Sequence, residues 1–250
     1  MDTSDWESIL PARLPDEFSS HLSISRNDTI AQRLFQVDMP VLKCVSFFPG
    51  KSPADVVLSL CDIPHRLAWD VNYRAFVEIP NANESFSTGP GAKPTTAPSL
   101  ESLLRHPLRT MCHKVALPAL NSVGLGGRVF CYDRAVAPLF GGGGRRTAHS
   151  LYPNVDAEAD GFDISFRHRD PFTYGRQLIS SADVAARVVF QQYIVRRVKR
   201  DGQSGTELTM TTCADIGLPS YFPRALQNYI SARFTTKSFL SLRDYLDKTF

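Results

Sequence analysis

Residues 206–246 read "TELTMTTCADIGLPSYFPRALQNYISARFTTKSFLSLRDYL", and the change of hydrophobic period inside this stretch decides the fold. Its first part follows a hairpin turn at "DGQSG" (201–205) and reads as a strand. Beyond Pro223 the apolar residues recur at helical spacing. Leu226, Ile230 and Phe234 follow i, i+4, i+8 and line one stripe. Phe239, Leu242 and Leu246 lie on a rotated face, which predicts a bend near Thr235-Thr236. The chain therefore ends in a strand that delivers a long helix.

The elements before it alternate less regularly. "SDWESIL" (4–10) carries a capping-box pattern, Ser4-x-x-Glu7, and predicts a short first helix. "HLSISR", "AQRLFQVD" and "VLKCVSFF" predict strands between 21 and 48, closed by Pro49-Gly50. "SPADVVLSLCDIPHRLAW" (52–69) predicts a helix with Ser52 as N-cap, Pro53 in the first turn and Asp55 three residues after the cap. Val56, Val57, Leu60 and Leu67 supply its apolar face, and Pro64 breaks or kinks it. "YRAFVEI" returns to period two. "LESLLRHPLRTMCHKVALPALNSV" predicts two helical pieces split by Pro107, and "GGRVFCYDRAVAPLF" a strand. Further strands are expected within "FDISFRHRDPFTYGRQLISS" and "ARVVFQQYIVRRVKR". Strands joined by hairpins, with helices segregated, indicate an α+β fold on an antiparallel sheet.

The chain has 250 residues, 43% hydrophobic, enough for one large domain or two small ones. Net charge is +3, from 28 basic and 25 acidic residues, without the clustered excess of a nucleic-acid binder. Five cysteines at irregular spacing, with no C-x-x-C, support neither a disulfide framework nor a zinc site, so reduced thiols and a cytoplasmic setting are expected. The acidic N-terminus lacks the apolar core of a signal peptide, and no run reaches the roughly 18–20 apolar residues of a membrane span.

Few residues suggest covalent chemistry. "GLGGRVF" and "GGGGRR" lack phosphate-loop spacing, and flexible loops explain them. Cys112 and His113 are adjacent, which does not face them toward each other on a helix. No G-x-S-x-G elbow or H-E-x-x-H occurs. "RHRD" (167–170) reads as a charged turn. "RRVKR" (196–200) reads as a solvated strand end, with contact to acidic lipid headgroups as the alternative. Asp133 and Arg176 stand out because each sits among apolar and aromatic residues. By period two, Asp133 shares a face with Cys131 and Val129, and Arg176 with Tyr174. If both point inward they need each other. Alternation alone leaves inward and outward orientations open.

Three separated stretches resemble the START family of steroidogenic-acute-regulatory-related lipid-transfer domains. The family's helix-ending R-x-x-W-D is similar to Arg66-Leu67-Ala68-Trp69-Asp70. Its strand with an acidic residue, a Pro-containing loop and then R-D-F-V-x-x-R resembles "FCYDRAVAPLF" followed by "RDPFTYGR" (169–176). In that match Pro171 stands at the family Asp, and the segment runs one residue long ahead of Phe172. The third likeness is the closing strand and helix quoted above. Together they span about residues 20–247.

The resemblance implies a helix-grip fold: a curved antiparallel sheet wrapped around a long C-terminal helix, enclosing a hydrophobic tunnel for one lipid, be it a sterol, a phospholipid or a ceramide-like molecule. It implies one START-like lipid-binding domain over 1–250, with inserts at about 80–99 and 140–160. Asp133 and Arg176 map onto the polar anchor. Phe130, Tyr174, Leu226, Ile230 and Phe234 form part of the apolar lining. No catalysis, cofactor or metal is expected. The implied partners are a lipid ligand and, transiently, a membrane surface, without nucleic acid; the long loops offer a place for a protein partner. The alternatives are a cyclase or hydrolase on a related scaffold and a lipid-sensing regulatory module. Trp69 is expected to be structural, packing at the helix-to-sheet junction without selecting ligand, with Asp70 accepting backbone amides at the turn.

Overall fold

The computed structural model describes residues 6–8, 22–36, 39–79, 100–116, 126–140, 159–218 and 222–250. The expected insert 80–99, most of the second one and Ser4 lie outside them. Among the described residues, ten strands form one sheet: β1 (Glu7–Ser8), β2 (Leu22–Asn27), β3 (Val41–Pro49), β4 (Tyr73–Ile79), β5 (Leu108–Val115), β6 (Arg128–Leu139), β7 (Gly161–Arg169), β8 (Val184–Ala185), β9 (Arg187–Arg200) and β10 (Gln203–Asp215). The order is β1-β2-β3-β10-β9-β7-β6-β5-β4. Every pair is antiparallel except β8, which runs parallel to the first residues of β6. Besides short helical turns at residues 28–35 and 176–178, the helices among the described residues are α1 (Pro53–Cys61), α2 (Ile63–Trp69), α3 (Leu100–Arg105), α4 (Pro171–Tyr174) and the 26-residue α5 (Arg224–Thr249).

The strongest local signals behave as read. Ser52 and Asp55 form a reciprocal capping box: the Asp55 N–H donates to Ser52 Oγ at 3.2 Å and the Ser52 N–H to Asp55 Oδ2 at 3.0 Å. The expected break falls at Asp62, whose carboxylate accepts the His65 N–H at 3.2 Å and caps α2. The bend expected near Thr235-Thr236 is absent: α5 is continuous there, and its buried face drifts around the axis instead.

Several expectations are corrected. Glu7 lies in strand β1, where it meets Arg26 at 3.0 Å, and not in a helix. Residues 31–35 are helical, because the Asn27 side chain caps a turn by accepting the Ile30 N–H at 2.9 Å. Residues 108–115 are strand β5 and not a second helical piece. Residues 171–174 are helical, since Asp170 caps them and Pro171 suits a first turn. Leu67 is 43% exposed and off the apolar face of α2. Cys112 and Cys131 are joined by a disulfide, directly opposite each other on β5 and β6. Cys44, Cys61 and Cys213 are free and buried.

The main core packs β2, β3, β7, β9 and β10 against α1, α3 and the C-terminal half of α5, through Val56, Leu60, Phe162, Leu208, Leu242 and Leu246. A second cluster joins Phe76, Met111, Phe130 and Tyr132 of β4–β6 to Ile230 and Phe234 of α5. Between the two clusters the sheet and helix do not close on each other.

Candidate ligand cavity

A cavity of about 520 Å³ lies between the inner face of the sheet and α5. Its helix wall runs from Gln227 to Leu242, about 22 Å at 1.5 Å per residue. Leu208, Met210, Phe130, Ile230, Phe234 and Phe239 give it an apolar surface. Polar groups gather at two places.

The first is built by α2 and the strands beside it. Arg66 and Asp70 are one helical turn apart, and Arg66 Nη2 donates to Asp70 Oδ2 at 2.8 Å and to Tyr73 Oη at 3.2 Å. The guanidinium lies 4.3 Å from the Trp69 ring centroid and 4.6 Å from that of Tyr73. Trp69 Nε1 donates to the Ser59 carbonyl at 2.8 Å, tying α2 to α1. Asp70 also accepts the Asn72 N–H at 3.2 Å, and Asn72 donates from its side chain to Ser238 Oγ on α5 at 3.2 Å. Arg66, Trp69 and Tyr73 all reach the cavity wall. Burial pushes the Tyr73 and Tyr193 hydroxyls up from their ordinary pKa, more than the Arg66 charge pulls them down.

His113 of β5 stacks between Tyr73 and Phe130, with centroids 4.5 and 4.9 Å away, and its Nδ1 is 3.1 Å from Tyr132 Oη. Burial, helped by the Arg66 charge, lowers its pKa to about 3. The ring is therefore neutral at pH 7. Because the folded pKa lies below the unfolded value of about 6.5, the stability this implies is present above about pH 6.5 and is lost as pH falls toward 3. The slope is about 1.4 kcal/mol per pH unit. Replacing His113 with Phe, which keeps the stack, is expected to flatten that part of the acid slope in urea titrations between about pH 6.5 and 5. An unchanged slope would place the acid sensitivity on other groups.

The second polar place is Arg128, the first residue of β6. Its Nε donates to the Ile216 carbonyl at 2.8 Å and Nη1 to the Gly126 carbonyl.

Of the residues expected at the site, Phe130, Ile230 and Phe234 lie on the cavity wall. Leu226 does not: it is 41% exposed, about 100° around the helix from the wall residue Gln227. Asp133 faces away from the cavity, where it accepts from Thr110 Oγ1 and Arg169 Nε, both at 2.8 Å. Burial would raise its pKa, but the hydrogen bonds from Arg169 and Thr110 outweigh it and hold the carboxyl below its ordinary value. Arg176 sits in an exposed turn after α4. Tyr174 is also off the wall, with its ring 5.6 Å from the Arg169 guanidinium. The expected Asp133–Arg176 pair is thus an Asp133–Arg169 pair on the outer face, beside the disulfide.

A usable signal was present on β6 itself. Arg128, Phe130 and Arg134 occupy the first, third and seventh places of R-D-F-V-x-x-R, on a strand, with Phe130 and Arg128 reaching the cavity. Arg134 is buried and donates to the Cys61 carbonyl. Trp69, expected to be structural alone, also forms part of the wall.

A curved sheet gripping a long C-terminal helix over a cavity defines a helix-grip α+β domain. More narrowly, the fold is START-like. Human STARD10 superposes with a TM-score of 0.63 at 14% identity, covering 99% of this chain and 75% of that one. Human StAR-related lipid transfer protein 5 gives 0.62 at 13%, covering 99% and 88%. The STAR-related lipid transfer protein of Xanthomonas axonopodis gives 0.58 at 12%, covering 97% and 99%. No protein-family model and no curated protein sequence matches the chain. At such identities the likeness is one of fold.

Proposed function

We propose that the chain binds one lipid in the cavity and carries it between membranes, without a covalent step. The observation that carries this reading is the cavity itself. Its volume falls in the range of roughly 300–1,000 Å³ typical of small-molecule sites, and its wall is largely apolar with a few convergent polar groups. A lipid leaving a bilayer needs its apolar area covered, at about 25 cal/mol per Å², and the helix-side wall is long enough to follow an extended chain. The two human and bacterial neighbours named for lipid transfer support the same assignment.

Entry requires part of the wall to move. The N-terminal half of α5 suits that role, because its inward residues Ile230 and Phe234 are only partly buried whereas Leu242 and Leu246 are locked in the core. Leu226 and Tyr229, 41% and 50% exposed, give the same segment an outward apolar edge for a membrane surface. Among the described residues, no helix is long and apolar enough to cross a membrane. The test is mass spectrometry of lipid retained by the purified protein, with transfer measured between donor and acceptor liposomes. A bound lipid in one-to-one ratio and accelerated transfer are expected. Absence of both would overturn the reading.

A further inference from the structure

The disulfide between Cys112 and Cys131 joins β5 to β6 at directly opposed positions, and both residues are 0% exposed. The residues flanking it on the two strands, Met111, His113, Phe130 and Tyr132, point the other way, toward the cavity side. His113 and Phe130 stack with centroids 4.9 Å apart and line the wall. The cross-link therefore sits directly behind the part of the wall that meets Ile230 and Phe234 of α5.

Its outer side is covered by one short strap, α4 and the turn after it. A methyl group placed on Gly175 would lie 2.6 Å from Cys131 Sγ and 3.2 Å from Cys112 Sγ, so a bare glycine is what fits over the sulfurs. The backbone hydrogen bonds of the strap run within it. The Thr173 and Tyr174 N–H groups donate to the Asp170 carbonyl, Gly175 to Pro171, Leu178 to Gly175 and Ile179 to Arg176. Among the described residues, no backbone hydrogen bond ties 171–179 to the sheet. Phe172 is 63% exposed, and Tyr174 holds the strap down only through its ring, 5.6 Å from the Arg169 guanidinium. The strap can lift without breaking a sheet bond, which makes it a unit of low local stability.

We propose that the Cys112–Cys131 disulfide is a redox switch in the cavity wall, reached when the strap lifts. A dithiol reductant then attacks one sulfur as its thiolate. The Sγ–Sγ bond breaks, a mixed disulfide forms, and the second thiol of the reductant displaces the protein from it. The reductant leaves as a disulfide, and its two electrons and two protons end on the Cys112 and Cys131 thiols. A disulfide oxidant runs the reverse reaction. Two separate thiols take more room than a bonded pair, and Gly175 leaves none on the outer side. In a close-packed interior that displacement is passed on. Reduction therefore loosens β5 against β6, and with them the wall at His113 and Phe130. Its consequence for ligand, which rests on the cavity being a lipid site, is faster exchange of the occupant in the reduced protein.

The test uses the full chain, first oxidised with glutathione disulfide and then treated with dithiothreitol in native buffer. Maleimide labelling read by peptide mass spectrometry is expected to find Cys112 and Cys131 modified together, while the buried Cys44, Cys61 and Cys213 stay protected. Amide exchange at residues 111–115 and 128–132 should quicken by about tenfold or more on reduction. Tyr174→Ala frees the strap from Arg169 and should speed reduction severalfold, with exchange at the oxidised wall unchanged. The double variant Cys112→Ala/Cys131→Ala should exchange like the reduced protein with or without dithiothreitol. If it fails to fold, the wild-type comparison decides alone. Transfer of pyrene-labelled phosphatidylcholine or of a fluorescent sterol between liposomes should be severalfold faster for the reduced protein. No Cys112–Cys131 bond under oxidation, reduction only on unfolding with all five cysteines labelled together, or wall exchange and transfer that ignore the redox state would each overturn the switch. Absence of transfer in both states would remove the lipid reading, while labelling and amide exchange still decide the switch.

Discussion

Replacing Trp69 with Ala is expected to lower folding stability by about 3–5 kcal/mol and to change which lipids the protein retains. The stability loss has two sources. The indole is 5% exposed and belongs to the main core with Val57, Leu60 and Leu242. Its N–H also ties α2 to the Ser59 carbonyl of α1, so truncation leaves that buried acceptor unpaired. The change in ligand choice follows from the other side of the ring, which borders the cavity. Truncation there adds volume beside Arg66 and frees the guanidinium from one of its stacking faces. Trp69→Phe should keep most of the packing and lose chiefly the hydrogen bond, about 1–3 kcal/mol. Urea unfolding of both variants measures the first effect, and the lipid profile after purification measures the second. An Ala variant within about 1 kcal/mol of wild type would mean that neighbouring side chains refill the site. An unchanged lipid profile would return Trp69 to a purely structural role.

What could be read from sequence depended on where the deciding interaction lies. The start of α1 was legible because Ser52, Pro53 and Asp55 settle it within four residues. The last strand and α5 were legible because their periods differ and each is long. Strand β5 was misread for a physical reason. Its Leu108, Met111 and Val115 fall at i, i+3, i+7 and imitate a helix, while Thr110 and Cys112 on the opposite face are buried as well. With both faces covered, the period-two contrast disappears. The same condition hid the parity of β6. Its first seven residues, Arg128–Arg134, are all buried, because α4 and the turn after it cover the outer face and Gly175 approaches the disulfide there. Asp133 therefore looked as eligible for the cavity as Arg134. The Arg66–Asp70 spacing was visible in sequence, but what turns it toward a cavity is the packing of α2 against β4 and α5. No local pattern records that packing.

Replacing Asp70 with Ala is expected to cost about 3–5 kcal/mol, because it strands a buried cation. The Asp70 side chain is fully buried and that of Arg66 is 10% exposed, so water cannot take over the lost acceptor. The Tyr73 hydroxyl, 3.2 Å from Arg66 Nη2, is neutral and remains as the nearest substitute. The Asn72 N–H loses its acceptor at the same time, which loosens the turn whose side chain holds Ser238 of α5. Two effects therefore reach the helix that closes the cavity, one electrostatic and one mechanical. Asp70→Asn separates them: it removes the charge but can still accept the Asn72 N–H, so its loss should be smaller than that of Ala. The double replacement of Arg66 by Met and Asp70 by Leu removes both charges and fills the space with apolar atoms. It should be more stable than Asp70→Ala alone, since a buried pair costs much of what it returns. Urea unfolding of lipid-free protein gives all three values, and delipidation keeps ligand linkage out of the comparison. If Asp70→Ala falls below about 1 kcal/mol, Arg66 must have turned to another acceptor. If the double variant is the least stable, the pair itself, and not the isolated charge, holds α2 against the sheet.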